Sequence, residues 1–257
     1  MDIGILGVAA SGLRAQQQRI DFVGQNLANL DTTSYRALHP ELVDVPAGQS
    51  TTIVSPGNQT MTVGEPDRLV AVAGVTQLDT PGPIITTGAP LDVALPPNVY
   101  LSVTMPNGQV GYTRNGRLQV DGQGRFLADG NPLTGNLQLQ PSETSTVVDS
   151  LGHVVTRGPR GARAVGTLPL VSIANSGELQ PLGRGLYQVS ANSGPAQPVT
   201  LSGVNVLVPG ALEGSNVDMG GEIGNLLRAQ RAYEIGGEVI RTWDDLASKT
   251  IQTLGHA

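Results

Sequence analysis

The sequence has no cysteine, which excludes disulfides, thiolate metal sites and a cysteine nucleophile. Aromatic residues make up only 3% of the chain, so a domain core must be built from Val, Leu, Ile and Ala. The longest run of apolar residues and glycine, Ile3 to Ala10, is too short to span a bilayer, and we predict no membrane insertion. Because no basic residue precedes that run, we also expect no cleavable secretory signal peptide.

Positive charge is scarce as well. The chain carries 15 basic and 21 acidic residues, a net charge of -6, and Lys249 is its single lysine. Its one basic cluster, Arg157, Arg160 and Arg163, lies in a Gly/Pro-rich stretch without interleaved aromatic residues. Nucleic-acid interfaces combine clustered basic charge with groups that contact bases, so we predict a solvated loop and no nucleic-acid partner.

Side chains suited to catalysis are few and scattered. His39, His153 and His256 lie far apart, and no pair has the spacing of metal ligands. Asp149, Ser150 and His153 have the composition of a catalytic triad, but no nucleophile elbow surrounds them. Phosphate-binding glycine loops are missing too. The sequence therefore predicts no catalytic, cofactor-binding or metal-binding residue, and a protein that is not an enzyme.

Proline is confined to the middle of the chain, where all 18 prolines fall between Pro40 and Pro209. Because proline interrupts helices and marks turns, both ends can be helical while the middle is rich in turns. We predict an α+β fold. Its N- and C-terminal amphipathic helices pair as a coiled-coil-like axial domain, and its central all-β domain consists of short antiparallel strands.

The N-terminal segment repeats apolar residues every seven positions, with others three residues later. This spacing predicts a helix with one apolar stripe. The helix should end near Asn29, because the polar residues that follow at 31–34 favour a turn. The stripe consists of Leu6, Leu13, Ile20, Val23, Leu27 and Leu30.

The C-terminal segment predicts a second helix, beginning at Ser215 with Asp218 at capping-box spacing. Five glycines, at positions 220, 221, 224, 236 and 237, would each cost the helix about 1 kcal/mol relative to alanine. Alone, such a helix should be marginal, so we predict that glycines allow close packing of helices between subunits; loose helix ends would be the alternative explanation of Gly220 and Gly224. The stripe predicted to form the subunit interface with the first helix is Met219, Ile223, Leu226, Tyr233, Ile240, Trp243 and Leu254.

In the middle, short alternating runs are separated by turn pairs such as Asn107–Gly108, Asn115–Gly116 and Asp129–Gly130. This pattern predicts a meander of β-hairpins. The predicted domains are the N-terminal helix and its turn at 1–36, an extended connector at 37–66, a central β domain at 67–210 and the C-terminal helix at 211–257.

Three motifs resemble one family. Asn26 to Arg36 (NLANLDTTSYR) is similar to the motif that closes the N-terminal helix of bacterial flagellar rod and hook proteins, although Ser34 stands where that family has glycine. Residues 212–218 (LEGSNVD) and 229–234 (AQRAYE) resemble its C-terminal helix signature, and residues 87–94 and 112–116 resemble the β domain of its longer rod proteins. The motif residues carried over are Asn26, Asn29, Thr33, Tyr35, Asn216, Gln230 and Arg231.

The resemblance implies a structural subunit of the flagellar rod in the basal body, crossing the periplasm. It implies self-assembly, contacts with neighbouring rod and hook proteins, passage through the flagellar export apparatus, and contacts with surrounding ring proteins. Residues 230–234 (QRAYE) are more similar to distal than to long proximal rod proteins. A long proximal rod protein remains one alternative. An extracellular β-rich binding module with a helical oligomerisation stalk is another, from a different class.

Overall fold

The computed structural model describes residues 3–46, 52–55, 59–62, 68–135, 137–140, 145–158, 161–203 and 206–254. The chain divides into two compact units. The helical unit comprises the described residues of 1–30, 37–78 and 217–257, and the β unit comprises those of 31–36 and 79–216. Each unit therefore contains segments that are far apart in the sequence.

The helices are α1 (Ile3–Ala28) and α2 (Met219–Leu254), and the 3-10 turn Ser176–Glu178 is the short helical element described between them. The strands are β1 (Leu38–Pro46), β2 (Thr52–Ser55), β3 (Gln59–Thr62), β4 (Arg68–Gln77), β5 (Ile84–Thr86), β6 (Val93–Ala94), β7 (Val99–Thr104), β8 (Val110–Thr113), β9 (Leu118–Val120), β10 (Phe126–Ala128), β11 (Asn131–Pro132), β12 (Ser145–Val148), β13 (His153–Gly158), β14 (Gly161–Thr167), β15 (Leu170–Ser172), β16 (Gln180–Gly183), β17 (Leu186–Gln188), β18 (Gln197–Pro198), β19 (Val208–Pro209) and β20 (Ala211–Glu213). The predicted α+β class is confirmed.

In the helical unit, α1 packs against α2 and against β4, and β4 pairs with β1 in an antiparallel ladder. Phe22 and Val23 of α1 and Ala229 of α2 are buried. A Cβ atom built at Gly236 of α2 would lie 2.8 Å from Cδ2 of Leu13, closer than carbon atoms normally approach. This glycine therefore allows a close approach between two helices of the same chain.

The helix boundaries agree with the sequence at one end and differ at the other. α1 ends at Ala28, as the prediction near Asn29 requires. α2 begins at Met219, so the predicted start at Ser215 is wrong. Asp218 is the residue that caps the helix, since its Oδ1 accepts a hydrogen bond from the backbone N–H of Gly220 at 3.1 Å.

The β unit is built around a six-stranded sheet with the order β16-β17-β8-β7-β15-β18. Two three-stranded sheets, β9–β11 and β12–β14, and two strand pairs, β6–β19 and β5–β20, complete it. The main core cluster is aliphatic apart from Phe126, as the scarcity of aromatic residues predicts, and includes Val93, Leu101, Val103, Phe126, Val154 and Leu207. A second buried cluster contains Tyr100 and Tyr187.

The predicted hairpins form at some turn pairs and not at others. Asp129 and Gly130 both have positive φ, 51° and 75°, and join β10 to β11 as a type I′ turn would. Asn115–Gly116 does not form the predicted hairpin, because β8 and β9 lie in different sheets. At Gly116 an added Cβ would lie 1.7 Å from the carbonyl oxygen of Val93, so glycine is needed there for close backbone approach.

The structure divides the chain at other points than the predicted domain limits. The segment 37–66, expected to be a connector, contains β1, which pairs with β4 from Leu38↔Gln77 to Pro46↔Arg68. Residues 37–78 thus group with the helices, whereas 31–36 and 211–216 group with the β unit. Non-local strand pairing and side-chain contacts set these limits, and local composition does not report them.

Candidate functional site

The residues predicted to form a subunit interface fall into two groups. Met219, Ile223 and Tyr233 are exposed, at 52%, 45% and 42%. The side chains of Leu6 and Leu254 lie outside the part of the chain that the structure describes. The other interface candidates are buried or half-buried inside the helical unit: Leu13, Ile20, Val23, Leu27, Leu30, Leu226, Ile240 and Trp243.

α2 also exposes apolar side chains that the seven-residue pattern did not identify. They are Leu227, Ile235, Val239 and Leu246. At about 100° per residue, Leu227 lies on the same side of α2 as the exposed stripe residues Met219, Ile223 and Tyr233, whereas Ile235, Val239 and Leu246 lie on the opposite side. Exposed apolar residues grouped in this way mark two surfaces that other molecules cover. We call the following set the outer apolar residues of α2: Met219, Ile223, Leu227, Tyr233, Ile235, Val239 and Leu246.

Among the motif residues, Asn26 is almost completely buried in the helical unit. Its Nδ2 donates to the carbonyl oxygen of Leu38 and to Oε1 of Glu222, both at 2.9 Å, and its Oδ1 accepts from the N–H of Leu38 at 2.9 Å. One amide side chain thereby joins α1, β1 and α2. Gln230 and Arg231, by contrast, are exposed on α2, and Thr33 is half-buried.

The turn at residues 31–36 keeps a left-handed residue at position 34. Ser34 has φ +55°, a conformation that costs a non-glycine residue energy. Its Oγ donates to the carbonyl oxygen of Arg114 at 2.9 Å, and its N–H donates to the carbonyl oxygen of Glu213 at 2.8 Å. Serine thus occupies a left-handed position in this turn and adds a buried hydrogen bond.

Three charged side chains form a buried cluster in the β unit, which we call the Glu213 cluster: Arg36, Arg114 and Glu213. Oε1 of Glu213 lies 2.9 Å from Nη2 of Arg36, and Oε2 accepts from Nε and Nη2 of Arg114 at 3.1 and 2.6 Å. The N–H of Gly82 donates to Oε1 at 3.1 Å. Each oxygen of this carboxylate thus has two donor partners, which are guanidinium groups or a backbone N–H. Its hydrogen-bonding capacity is therefore fully used.

The remaining donors of Arg114 are also satisfied, by the carbonyl oxygens of Leu95, Pro96 and Val99 at 2.8 to 3.2 Å. Its guanidinium lies over the ring of Tyr100, with Cζ 5.5 Å from the centroid. Burial raises the pKa of Tyr100 to about 12, against a smaller lowering by the charge of Arg114.

The three cluster residues belong to three separate motifs, and nothing in the sequence indicates that they meet. The signal that could have found them is that segments 26–36, 112–116 and 212–218 together contain two arginines and one glutamate. Their contact joins residues far apart in the chain, which spacing alone cannot show.

The triad-like residues form a turn and not an active site. Oδ1 of Asp149 accepts from the N–H groups of Leu151 and His153, and Oδ2 lies 2.8 Å from Nδ1 of His153, with both side chains exposed. Burial acts to raise the pKa of Asp149, but the hydrogen bonds from His153 and Leu151 outweigh it and lower that pKa. The backbone carbonyl oxygen of Ser150 accepts a hydrogen bond from the N–H of Leu207 at 2.9 Å.

Across the described ranges, no group of three or more His, Asp and Glu side chains has the arrangement of a metal site. The helices of the described chain are also not long and apolar enough to cross a membrane. The structure thus directs attention to the outer apolar residues of α2 and to the Glu213 cluster.

Three family models match the chain in order along its length. Residues 6–36 match a model described as flagella basal body rod protein. Residues 96–156 match the flagellar hook protein FlgE/F/G D1 domain, and residues 208–253 match the flagellar basal body rod FlgEFG protein C-terminal. Each of the three matched ranges contains one residue of the Glu213 cluster.

Individual relatives align over nearly the whole chain. A flagellar basal-body rod protein FlgG of Buchnera aphidicola is 31% identical over 96% of this chain and 98% of its own length. FlgG of Caulobacter vibrioides is 31% identical with the same coverage. FlgF of Escherichia coli, also a flagellar basal-body rod protein, is 30% identical over 97% of this chain and 96% of its own. The chain therefore belongs to the family of flagellar basal-body rod proteins.

Proposed function

We propose that this protein is a non-enzymatic subunit of the distal flagellar rod, which assembles with copies of itself into a helical tube and transmits torque from the motor to the hook. Membership of the family supports the assignment to the rod, and the predominance of FlgG among the relatives given above supports the assignment to its distal part. The match to FlgF keeps the proximal rod as the alternative within the same family.

The observation that carries the proposal is the set of outer apolar residues of α2, seven side chains between 42% and 63% exposed. They extend along a helix of 36 residues, which at 1.5 Å per residue is about 54 Å long. Burying the exposed part of seven such side chains would contribute on the order of 5 kcal/mol. We propose that a second copy of the chain covers the outer apolar residues of α2.

The contact we propose joins the outer apolar residues of one copy to a different surface of the next. Such heterologous contacts continue without closing and build a helical filament. The predicted interface residues already half-buried in the helical unit, such as Leu27 and Leu226, would support α2 from within the subunit.

The location and partners follow from the same proposal. The subunit would function in the basal body where the rod crosses the periplasm, after passage through the flagellar export apparatus. Neighbouring rod and hook proteins would continue the filament at its ends, and ring proteins would surround it. No cofactor, nucleic acid or membrane insertion enters this function.

The test replaces an outer apolar residue by a charge. Ile235→Asp should remain monomeric in sedimentation at concentrations where the unaltered chain polymerises, with unchanged circular dichroism, because Ile235 is 63% exposed in the single chain. Ser248→Asp, on an exposed polar position of the same helix, is the matched control and should polymerise normally. Leu226→Asp should instead reduce the helix signal, since Leu226 is half-buried within one chain.

Normal polymerisation of Ile235→Asp would contradict the proposed interface. Loss of helix in this variant would show that the residue packs within the subunit, which contradicts it as well.

A further inference from the structure

The chain passes between the helical unit and the β unit at four points, at residues 30/31, 36/37, 78/79 and 216/217. On the β-unit side these crossings belong to three segments: 31–36, 79–82 and 213–216. Apart from Glu213, which is the last residue of β20, these three segments contain no residue of a regular helix or strand. Hydrogen-bond ladders therefore do not hold them, and their attachment to the β unit must come from other contacts.

The three segments are bonded to one another. Asn216 donates its N–H to the carbonyl oxygen of Tyr35 at 3.2 Å and its Nδ2 to the carbonyl oxygen of Thr80 at 2.8 Å. Arg36 also donates to the carbonyl oxygen of Thr80. The Ser34 N–H bonds the carbonyl oxygen of Glu213, so each segment is tied to both of the others.

Glu213 is the centre of this arrangement. Its carboxylate holds Arg36 of the first segment, the N–H of Gly82 of the second, and Arg114 at the end of β8 in the body of the β unit. The cluster contains two guanidinium groups and one carboxylate, all at most 7% exposed. Without that carboxylate the two buried cations would face each other unpaired, which is strongly unfavourable.

We propose that the Glu213 cluster is a clamp that fastens the three crossing segments to the β unit, so that rotation carried by the helices reaches the β unit through fixed attachments. The purpose of the clamp rests on the proposed rod function. Its existence does not, because it is a property of the single chain and can be tested on that chain.

Native-state hydrogen exchange on the full-length chain tests the clamp through individual amides. In Glu213→Gln, the amides of Ser34, Gly82 and Asn216 should exchange at least about tenfold faster, since a charge-assisted bond is replaced by a neutral one. The amide of Leu133, which bonds the carbonyl oxygen of Phe126 in the core, reports the stability of the whole β unit and should also exchange faster in this variant, because two buried arginines lose their carboxylate. Glu178→Gln makes the same chemical change at an exposed position of the β unit and should alter none of these amides.

Arg36→Gln is the second variant, because it leaves Arg114 and Glu213 as a balanced pair and so should keep the β unit folded. Here Ser34 and Asn216 should exchange about tenfold faster, while Gly82, held by Glu213 itself, should change little. Unchanged exchange at Ser34 and Asn216 in this variant would overturn the clamp. Equal acceleration of Leu133 would also overturn it, since the cluster would then act only on global stability.

A measurement in cells separates the clamp from the rod proposal. Cells whose only copy is Arg36→Gln should assemble flagella and swim normally in dilute medium, but lose speed disproportionately in viscous medium, where torque is high. If Ile235→Asp assembles normally, the proposed rod interface fails while the exchange result for the clamp stands. If exchange is unaffected by Arg36→Gln, the clamp fails and the rod proposal stands.

Discussion

Two adjacent glycines of α2 offer a direct test of whether the helices pair within one chain. An alanine in a helix interior is about 1 kcal/mol more favourable than a glycine. Nothing lies within 4 Å of a Cβ atom added at Gly237, so Gly237→Ala should stabilise the helical unit by about that amount.

At Gly236 the same substitution meets α1. The added Cβ would lie 2.8 Å from Cδ2 and 3.3 Å from Cγ of Leu13. Leu13 must leave its rotamer to restore normal contact, at a cost of about 0.5–1.5 kcal/mol, which offsets the gain in helix propensity. Gly236→Ala should therefore be about 1 kcal/mol less stable than Gly237→Ala.

Urea unfolding of the full-length chain, followed by far-ultraviolet circular dichroism, measures this difference. The difference in stability should disappear when Gly236→Ala and Gly237→Ala are each combined with Leu13→Ala, because the side chain that Gly236→Ala displaces is then missing. Equal stabilisation by the two alanines in the unaltered background would refute the reasoning. It would mean that Leu13 does not lie against Gly236 in the isolated subunit and that the helices pair only after assembly.

Two further predictions concern the β unit. Gly116→Ala should destabilise it by more than about 3 kcal/mol in thermal unfolding, since the Cβ would lie 1.7 Å from a backbone oxygen, whereas Gly122→Ala, with nothing within 4 Å, should cost far less; similar values for both would show that residue 116 does not approach Val93. Tyr100, with its pKa raised by burial to about 12 from the ordinary 10.0, should stay neutral when exposed tyrosines ionise, and the stability it contributes should be full below pH 10 and lost as pH rises towards 12. Ultraviolet titration of Tyr100→Phe against the unaltered chain checks this: the two curves should coincide near pH 10 and separate only towards pH 12. A separation by one tyrosine already centred near pH 10 would contradict it.

The features that the sequence predicts well are those with local physical causes. The prolines between Pro40 and Pro209 favour turns over long helices, and the apolar spacing outside this range places both helices. The turn at Asp129–Gly130 follows from the left-handed conformations that these residue types accept. The α+β class can therefore be predicted from the sequence alone.

The features that it misses depend on distant partners. Asn115–Gly116 has the composition of a hairpin turn, but Gly116 is glycine because the Val93 backbone lies against it. The α2 start was misplaced because Ser215 and Asp218 are both good caps, and the structure uses Asp218. The Glu213 cluster joins three motifs whose proximity no spacing rule encodes, and the outer apolar residues can be told from the covered apolar residues of α2 only from the packing of α1 against that helix.

The contact between Arg36 and Glu213 also determines when the β unit can be completed. This contact closes a loop from residue 36 to residue 213, which is most of the sequence. The pairing of β20 with β5 closes a second long loop, from residues 84–86 to residues 211–213. Loops of this length are closed late, because their entropy must be lost before the contacts form. A chain in which the segment 211–216 has not yet joined lacks the carboxylate that neutralises two buried arginines, so its β unit stays open until that segment is in place. Completion of the β unit thus waits for residues that lie just before α2, far from Arg36 in the sequence.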